Sequence, residues 1–290
     1  MQPELLLDAR LQLGEGPAWD AQAGILYFVD VHAGDLHIYQ PADGTHQSVT
    51  QGEPIGCLAP AGDNRLVLAL RSSLWTLDLS SGLRRQLCSP EPHLPGNRFN
   101  DGKCDPLGRF LAGTMDDAEK QASGSLYSYS RDGTLKTLLT GLQISNGLTW
   151  SPDHSTFYFI DTPTRLVMAY DYDLSSGSIE RPRPCVRIPE ALGWPDGMTA
   201  DMDGMLWVAI WGGAQVTRWH PGTGQMIAAY PLPALNVTSC VFGGPHLSDL
   251  YITSARKGMD AAQMVQYPLS GGLFRLSTGT TGLPTFSFGL

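Results

Sequence analysis

The chain has 290 residues, 42% of them hydrophobic, with 19 Lys and Arg against 28 Asp and Glu for a net charge of −9. That apolar content excludes a disordered chain, and the acidic balance is the wrong sign for holding nucleic acid by its phosphates or docking on an anionic membrane. With 33 Gly and 21 Pro, the backbone is punctuated too often for long helices.

The first twenty residues carry no basic segment followed by an apolar stretch of signal-peptide length, and nowhere do eighteen apolar residues run together. A cytoplasmic protein is expected. Cys57, Cys88, Cys104, Cys185 and Cys240 show no CxxC spacing and read as reduced thiols. The sequon Asn236-Val237-Thr238 reads as a chance match in that setting.

A strand-like stretch over residues 4–13 comes first. Short β-rich runs follow at residues 25–29, 66–70, 109–112, 156–160, 206–210 and 250–253. Marked by Leu26, Leu66, Phe110, Phe157, Leu206 and Leu250, they recur at intervals of 40, 44, 47, 49 and 44 residues, the period of a four-stranded propeller blade. Five are followed by a second alternating run, at residues 35–39, 73–77, 125–129, 167–170 and 215–219, each closed by a Gly-containing turn. The expected fold is all-β: one six-bladed β-propeller domain spanning 1–290, closed by residues 4–13 pairing with residues 272–276.

Aligning the repeats on the turn before each marker strand puts Glu15, Ile55, Asn100, Asn146, Asp196 and Ser239 at one position. In a propeller this position opens the innermost strand of a blade onto the central channel. Two carboxylates and two carboxamides converging on an axis call for a cation among them, since buried charge must be paired or metal-bound. Glu15, Asn146 and Asp196 are the candidate metal ligands. Hard oxygen donors suit Ca²⁺, Mg²⁺ or Mn²⁺, and no His or Cys stands at the ring position. The following Gly16, Gly147 and Gly197 fit a close backbone approach. The seven histidines avoid this position, and most read as surface or turn residues.

Leu13-Gly14-Glu15-Gly16-Pro17, Asn97-Arg98-Phe99-Asn100-Asp101-Gly102-Lys103, Gly113-Thr114-Met115, Ser145-Asn146-Gly147, Pro195-Asp196-Gly197-Met198 and Ala255-Arg256-Lys257-Gly258-Met259 resemble the senescence-marker-protein-30, gluconolactonase and regucalcin family, over residues 13–259. The last motif, with residues 267–272, is most similar to the bacterial sugar-lactonase branch. The resemblance implies one divalent metal in the channel and hydrolysis of aldonolactones. It places Glu15, Asn146 and Asp196 on the family's metal ligands and Arg98 and Asn100 on its substrate contacts. The family often sets an acidic substrate contact after Gly-Thr-Met, where this chain offers Asp116, Asp117 and Glu119; read alone, that run is a solvated loop.

Lactone hydrolysis needs a polarised carbonyl, an activated water and a stabilised oxyanion. Asp196 is the candidate general base, and Arg98 and Asn100 are candidates to hold sugar hydroxyls or developing charge. The expected cofactor is one divalent ion, Ca²⁺ by ligand type, with Zn²⁺, Mn²⁺, Mg²⁺ or Fe²⁺ as alternatives. A Ser nucleophile is disfavoured because no Gly-x-Ser-x-Gly elbow occurs. Lys103 reads equally as a channel cation or as a partner of Asp101 or Asp105, and Trp194 and Trp211 as pocket walls or blade packing. A non-catalytic cation-binding regulator, or a hydrolase of other esters or phosphotriesters, uses the same ring. The expected partner is a small sugar lactone, and the protein a monomer or weak homo-oligomer.

Overall fold

The computed structural model describes residues 2–289, and within them the repeats form six four-stranded antiparallel sheets. They stand as the blades of a six-bladed β-propeller. The innermost strands are Gly14–Asp20, Ile55–Pro60, Asn97–Cys104, Ser145–Trp150, Trp194–Ala200 and Asn236–Gly243. Burial falls from axis to rim: in the first blade Gly14–Asp20 is almost wholly buried, whereas Thr45–Thr50 is largely exposed. Because neighbouring blades cover both faces of each sheet, the second strands read as continuous apolar runs rather than alternating ones. Leu66, Val67, Leu68, Ala69 and Leu70, for example, are all fully buried.

The ring closes through its first and last strands. Glu4–Leu7 pairs antiparallel with Leu273–Ser277, setting Glu4 opposite Arg275, with an ion pair of 2.7 Å between them. This closing strand is shorter than the 4–13 expected from the sequence. Arg10 takes a left-handed backbone conformation (φ 55°), and Leu13 bridges to Ala255. The Thr238 hydroxyl ties the last blade to the first, donating to the Gly14 carbonyl at 2.6 Å. Closure removes the open edges that a fan of sheets would otherwise present.

Two further features position the site. Every innermost strand is irregular where it meets the channel: pairing register shifts between Glu15 and Ala18, Ile55 and Cys57, Phe99 and Gly102, Asn146 and Leu148, Pro195 and Met198, and Val237 and Ser239. Such bulges re-aim side chains. At the opposite end the C-terminal segment crosses the axis, where the Leu283 amide donates to Ala200 and the Phe288 amide to Pro60. Leu283, Pro284, Thr285 and Phe286 line that end of the channel.

Among the described residues, the one α-helix is Ala261–Gln266, capped by Asp260, and no helix is long and apolar enough to cross a membrane. All five cysteines are free. The sequon residue Asn236 is buried, its amide donating to the Lys257 carbonyl at 3.0 Å.

One histidine departs from the surface placement expected. His37 is buried, stacked on Phe28, with its Nδ1 2.9 Å from His46 Nε2. Burial first, and then the neighbouring His46, pull its pKa down from 6.5 to about 4, against the opposing charges of Asp35 and Asp30. A histidine held neutral in the fold contributes stability above pH 6.5 that is lost as pH falls toward 4. His37→Phe is therefore expected to flatten the fall of the urea midpoint between pH 6.5 and 4. Parallel slopes for variant and wild type would refute this.

Candidate metal and substrate site

Glu15, Asn146 and Asp196 stand at the irregular positions of the first, fourth and fifth inner strands, with relative exposures of 6%, 5% and 5%. The strands approach too closely there for larger residues. A Cβ on Gly147 would meet the Asp196 carbonyl at 2.6 Å, and one on Gly197 would meet Ser239 Oγ at 2.1 Å. The three side chains share one cleft of about 390 Å³ with Arg98 and Asn100 of the third blade. Of the other aligned positions, Ile55 is buried in the apolar core and Ser239 sits beside Gly197; neither lines the cleft.

The polar groups of this floor are only partly satisfied by protein. Glu15 Oε2 accepts from the Gly16 amide at 2.9 Å. Thr162 donates its single hydroxyl proton to the Pro195 carbonyl at 2.9 Å, so toward Asn146 it accepts, from Nδ2 at 3.0 Å. That leaves Asn146 Oδ1 as the free end of the amide. Asn146 Oδ1 and Asp196 Oδ1 are buried without a hydrogen-bond partner among the described residues. Orphaned buried acceptors are rare and costly, commonly 1–3 kcal/mol each. Burial first, and then the charge of Asp101, push the Glu15 carboxyl up to about 8. Burial, Glu15 and Asp101 push Asp196 well above the carboxylate range. An all-oxygen set of two carboxylates and an oriented amide therefore fits a hard divalent cation. No histidine lines the cleft.

A second group of residues prepares the cation-rich side. Arg98 is 2% exposed; its Nε donates to Asp117 Oδ1 at 2.8 Å, and Nη1 to the Phe99 carbonyl at 3.0 Å and Asn100 Oδ1 at 2.7 Å. Among the described residues Nη2 has no protein partner. Asn100 Nδ2 donates to the Ser145 carbonyl at 2.8 Å, so this amide locks the third blade to the fourth while facing the cleft. Partial burial would raise the Asp117 pKa, but the guanidiniums of Arg98 and Arg71 hold it below its usual value.

The acidic run is thus more than a solvated loop, and its three members divide the work. Asp116 folds the loop by accepting from the amides of Ala118, Lys120 and Gln121. Asp117 braces Arg98. Glu119, in a left-handed conformation (φ 59°), lines the cleft and pairs with Lys257 at 2.8 Å. Lys257 is a cleft residue that sequence reasoning did not assign. Lys103 lies elsewhere: it lines the far end of the channel with Asp101 and donates to the Met198 carbonyl. Trp194 and Trp211 both line the cleft.

The fold and site together define a six-bladed propeller with an oxygen-lined cleft at one mouth of its channel. The chain belongs to the SMP-30/Gluconolactonase/LRE-like family, whose profile matches residues 13–256. It is 36% identical over 288 residues, 99% of each chain, to YvrE of Bacillus subtilis (strain 168), provisionally named a sugar lactone lactonase. It is 37% identical over 291 residues to Xenopus laevis regucalcin, covering 98% of this chain and 97% of that one. A solved structure described as a calcium-binding regucalcin from Agrobacterium tumefaciens strain C58 superposes with a TM-score of 0.94 at 29% identity, covering 99% of this chain and 97% of that one.

Proposed function

We propose that this chain is a metal-dependent hydrolase that opens sugar lactones to aldonic acids. Water adds to the lactone carbonyl carbon, the acyl C–O bond breaks, the ring oxygen leaves as a hydroxyl, and the acid formed releases a proton at neutral pH. The observation that supports this reading is the pairing, in one cleft, of orphaned Asn146 Oδ1 and Asp196 Oδ1 with the buried Arg98 guanidinium. A site that only stores a cation needs the oxygens and gains nothing from the guanidinium.

Glu15, Asn146 and Asp196 would hold the cation, with Ca²⁺ favoured by the hardness of the donors. When bound, it supplies Lewis-acid polarisation worth several kcal/mol. Asp196 is the candidate base: its carboxylate takes a proton from the attacking water and returns it to the leaving ring oxygen. Arg98, braced by Asp117, presents Nη2 to a sugar hydroxyl or the developing oxyanion, and Asn100 keeps one hydrogen and one lone pair for substrate. In this reading residues 1–290 act as one propeller domain, in the cytoplasm, as a monomer or weak homo-oligomer.

The test is proton release from a panel of aldonolactones by protein stripped with chelator and re-supplied with single divalent metals. Turnover at least about a hundredfold above the stripped protein is expected for some lactone, a gain of about 3 kcal/mol in transition-state stabilisation. Tight metal binding with no lactone opened faster than background would leave a cation-binding protein instead.

A further inference from the structure

The cleft is larger than its floor requires. The twelve heavy atoms of a hexonolactone occupy roughly 150 Å³, the share of about five waters at about 30 Å³ each, against about 390 Å³ available. We infer that the outer part of the cleft, built around Trp194, is a subsite for a second sugar ring, so that the preferred substrates are lactones of disaccharide aldonic acids. This rests on the lactonase reading and extends it.

Trp194 is 41% exposed, an unusual state for so large an apolar side chain, yet it is held on several sides. The Arg165 guanidinium carbon lies 3.5 Å from the centre of its ring, and Arg165 Nη1 is anchored on the Gly193 carbonyl at 2.5 Å. Arg165 does not line the cleft, whereas the part-exposed Trp194 does. The main chain beneath is equally confined. Gly193 has φ 111°, and a Cβ there would meet the Trp211 carbonyl at 2.5 Å. Trp211, opposite Trp194 in the strand pairing, packs against the core cluster containing Leu13.

A held, part-exposed aromatic ring in a cleft wall suits a flat partner that bears C–H groups, because the ring face is electron-rich. Polar residues of the lining favour a sugar over a hydrocarbon. Beside the apolar Met115, Ile144 and Pro163, the same cleft is lined by Gln143 and the Glu119–Lys257 ion pair. These offer donors and acceptors to hydroxyl groups, whereas a lipophilic tail would desolvate them and offer no partner in return. A pyranose ring, apolar on its faces and hydroxylated at its edge, matches both surfaces.

The experiment compares kcat/KM of the metal-loaded protein for maltobionolactone and glucono-1,5-lactone, in wild type, Trp194→Ala and Trp194→Phe. Maltobionate and gluconate, the open acids, are also titrated against intrinsic fluorescence. Wild type is expected to favour the disaccharide lactone by about tenfold. Trp194→Ala should erase that ratio, chiefly through KM, and Trp194→Phe should retain most of it. Maltobionate should quench wild type, and gluconate should not. A ratio near one in wild type, or one unchanged by Trp194→Ala, overturns the subsite. If neither lactone opens, the lactonase reading fails by itself, and the fluorescence titration decides the subsite: quenching of wild type by maltobionate and not by gluconate upholds it, and equal signals from the two acids overturn it.

Discussion

Asn146→Ala is expected to abolish cation binding and to lower kcat/KM for the best lactone by about a thousandfold, or about 4 kcal/mol. The side chain contributes the one neutral oxygen of the floor, and Thr162 holds that oxygen free by occupying the amide nitrogen. Without it, Glu15 and Asp196 face each other with nothing to complete the shell between them. The fold itself should tolerate the change, since truncation removes an orphaned acceptor and Thr162 keeps its bond to the Pro195 carbonyl. The stripped variant should therefore melt close to stripped wild type. Re-supplied metal should raise the wild-type Tm by binding only the native state and leave the variant unmoved. Glu15→Ala should behave alike in binding and turnover. A variant that keeps both its metal-dependent Tm rise and its turnover would show that Asn146 is not a ligand.

How far the sequence could be read depended on which features repeat. The blade period was legible because each sheet is covered on both faces, so its second strand becomes an uninterrupted apolar run that recurs once per blade. Glu15, Asn146 and Asp196 were legible for the same reason: each occupies one offset within that unit, and a shared offset in a ring means a shared axis. Arg98 was reached only through the family resemblance, since nothing in its spacing distinguishes it from a surface arginine.

What escaped was non-periodic. The bulges that turn the ring residues inward are a property of register between strands, which single-strand patterns do not carry. Thr162, which orients Asn146, lies sixteen residues away, in the turn that follows the second strand of the same blade. The split of roles among Asp116, Asp117 and Glu119 turns on one left-handed residue in a loop and on partners as distant as Lys257. The closing of the far channel end by Leu283 and Phe286 is also a contact between remote segments, visible only once the ring is formed.

Arg98→Leu is expected to separate activity from stability. Burial pulls the Arg98 pKa down, so the fold holds this charge at a cost. Leucine fills much of the volume without that cost. Asp117 is not stranded by the change, because it stays 28% exposed and keeps Arg71 at 3.1 Å. Removing one member of a buried ion pair is strongly destabilising only where it strands the other charge, so the Tm should stay within a few degrees of wild type. Turnover should not. Loss of one preorganised donor at a developing oxyanion removes about 10² to 10³ in rate. Arg98→Lys should recover only part of it, since an ammonium cannot reach Asp117, the Phe99 carbonyl and Asn100 with the geometry of the guanidinium fork. Near-normal kcat/KM in Arg98→Leu would remove Arg98 from the reaction. A Tm fall beyond about 5 °C, roughly 3 kcal/mol for a chain of this size, would instead make the guanidinium a structural pillar, with any loss of turnover following from the fold.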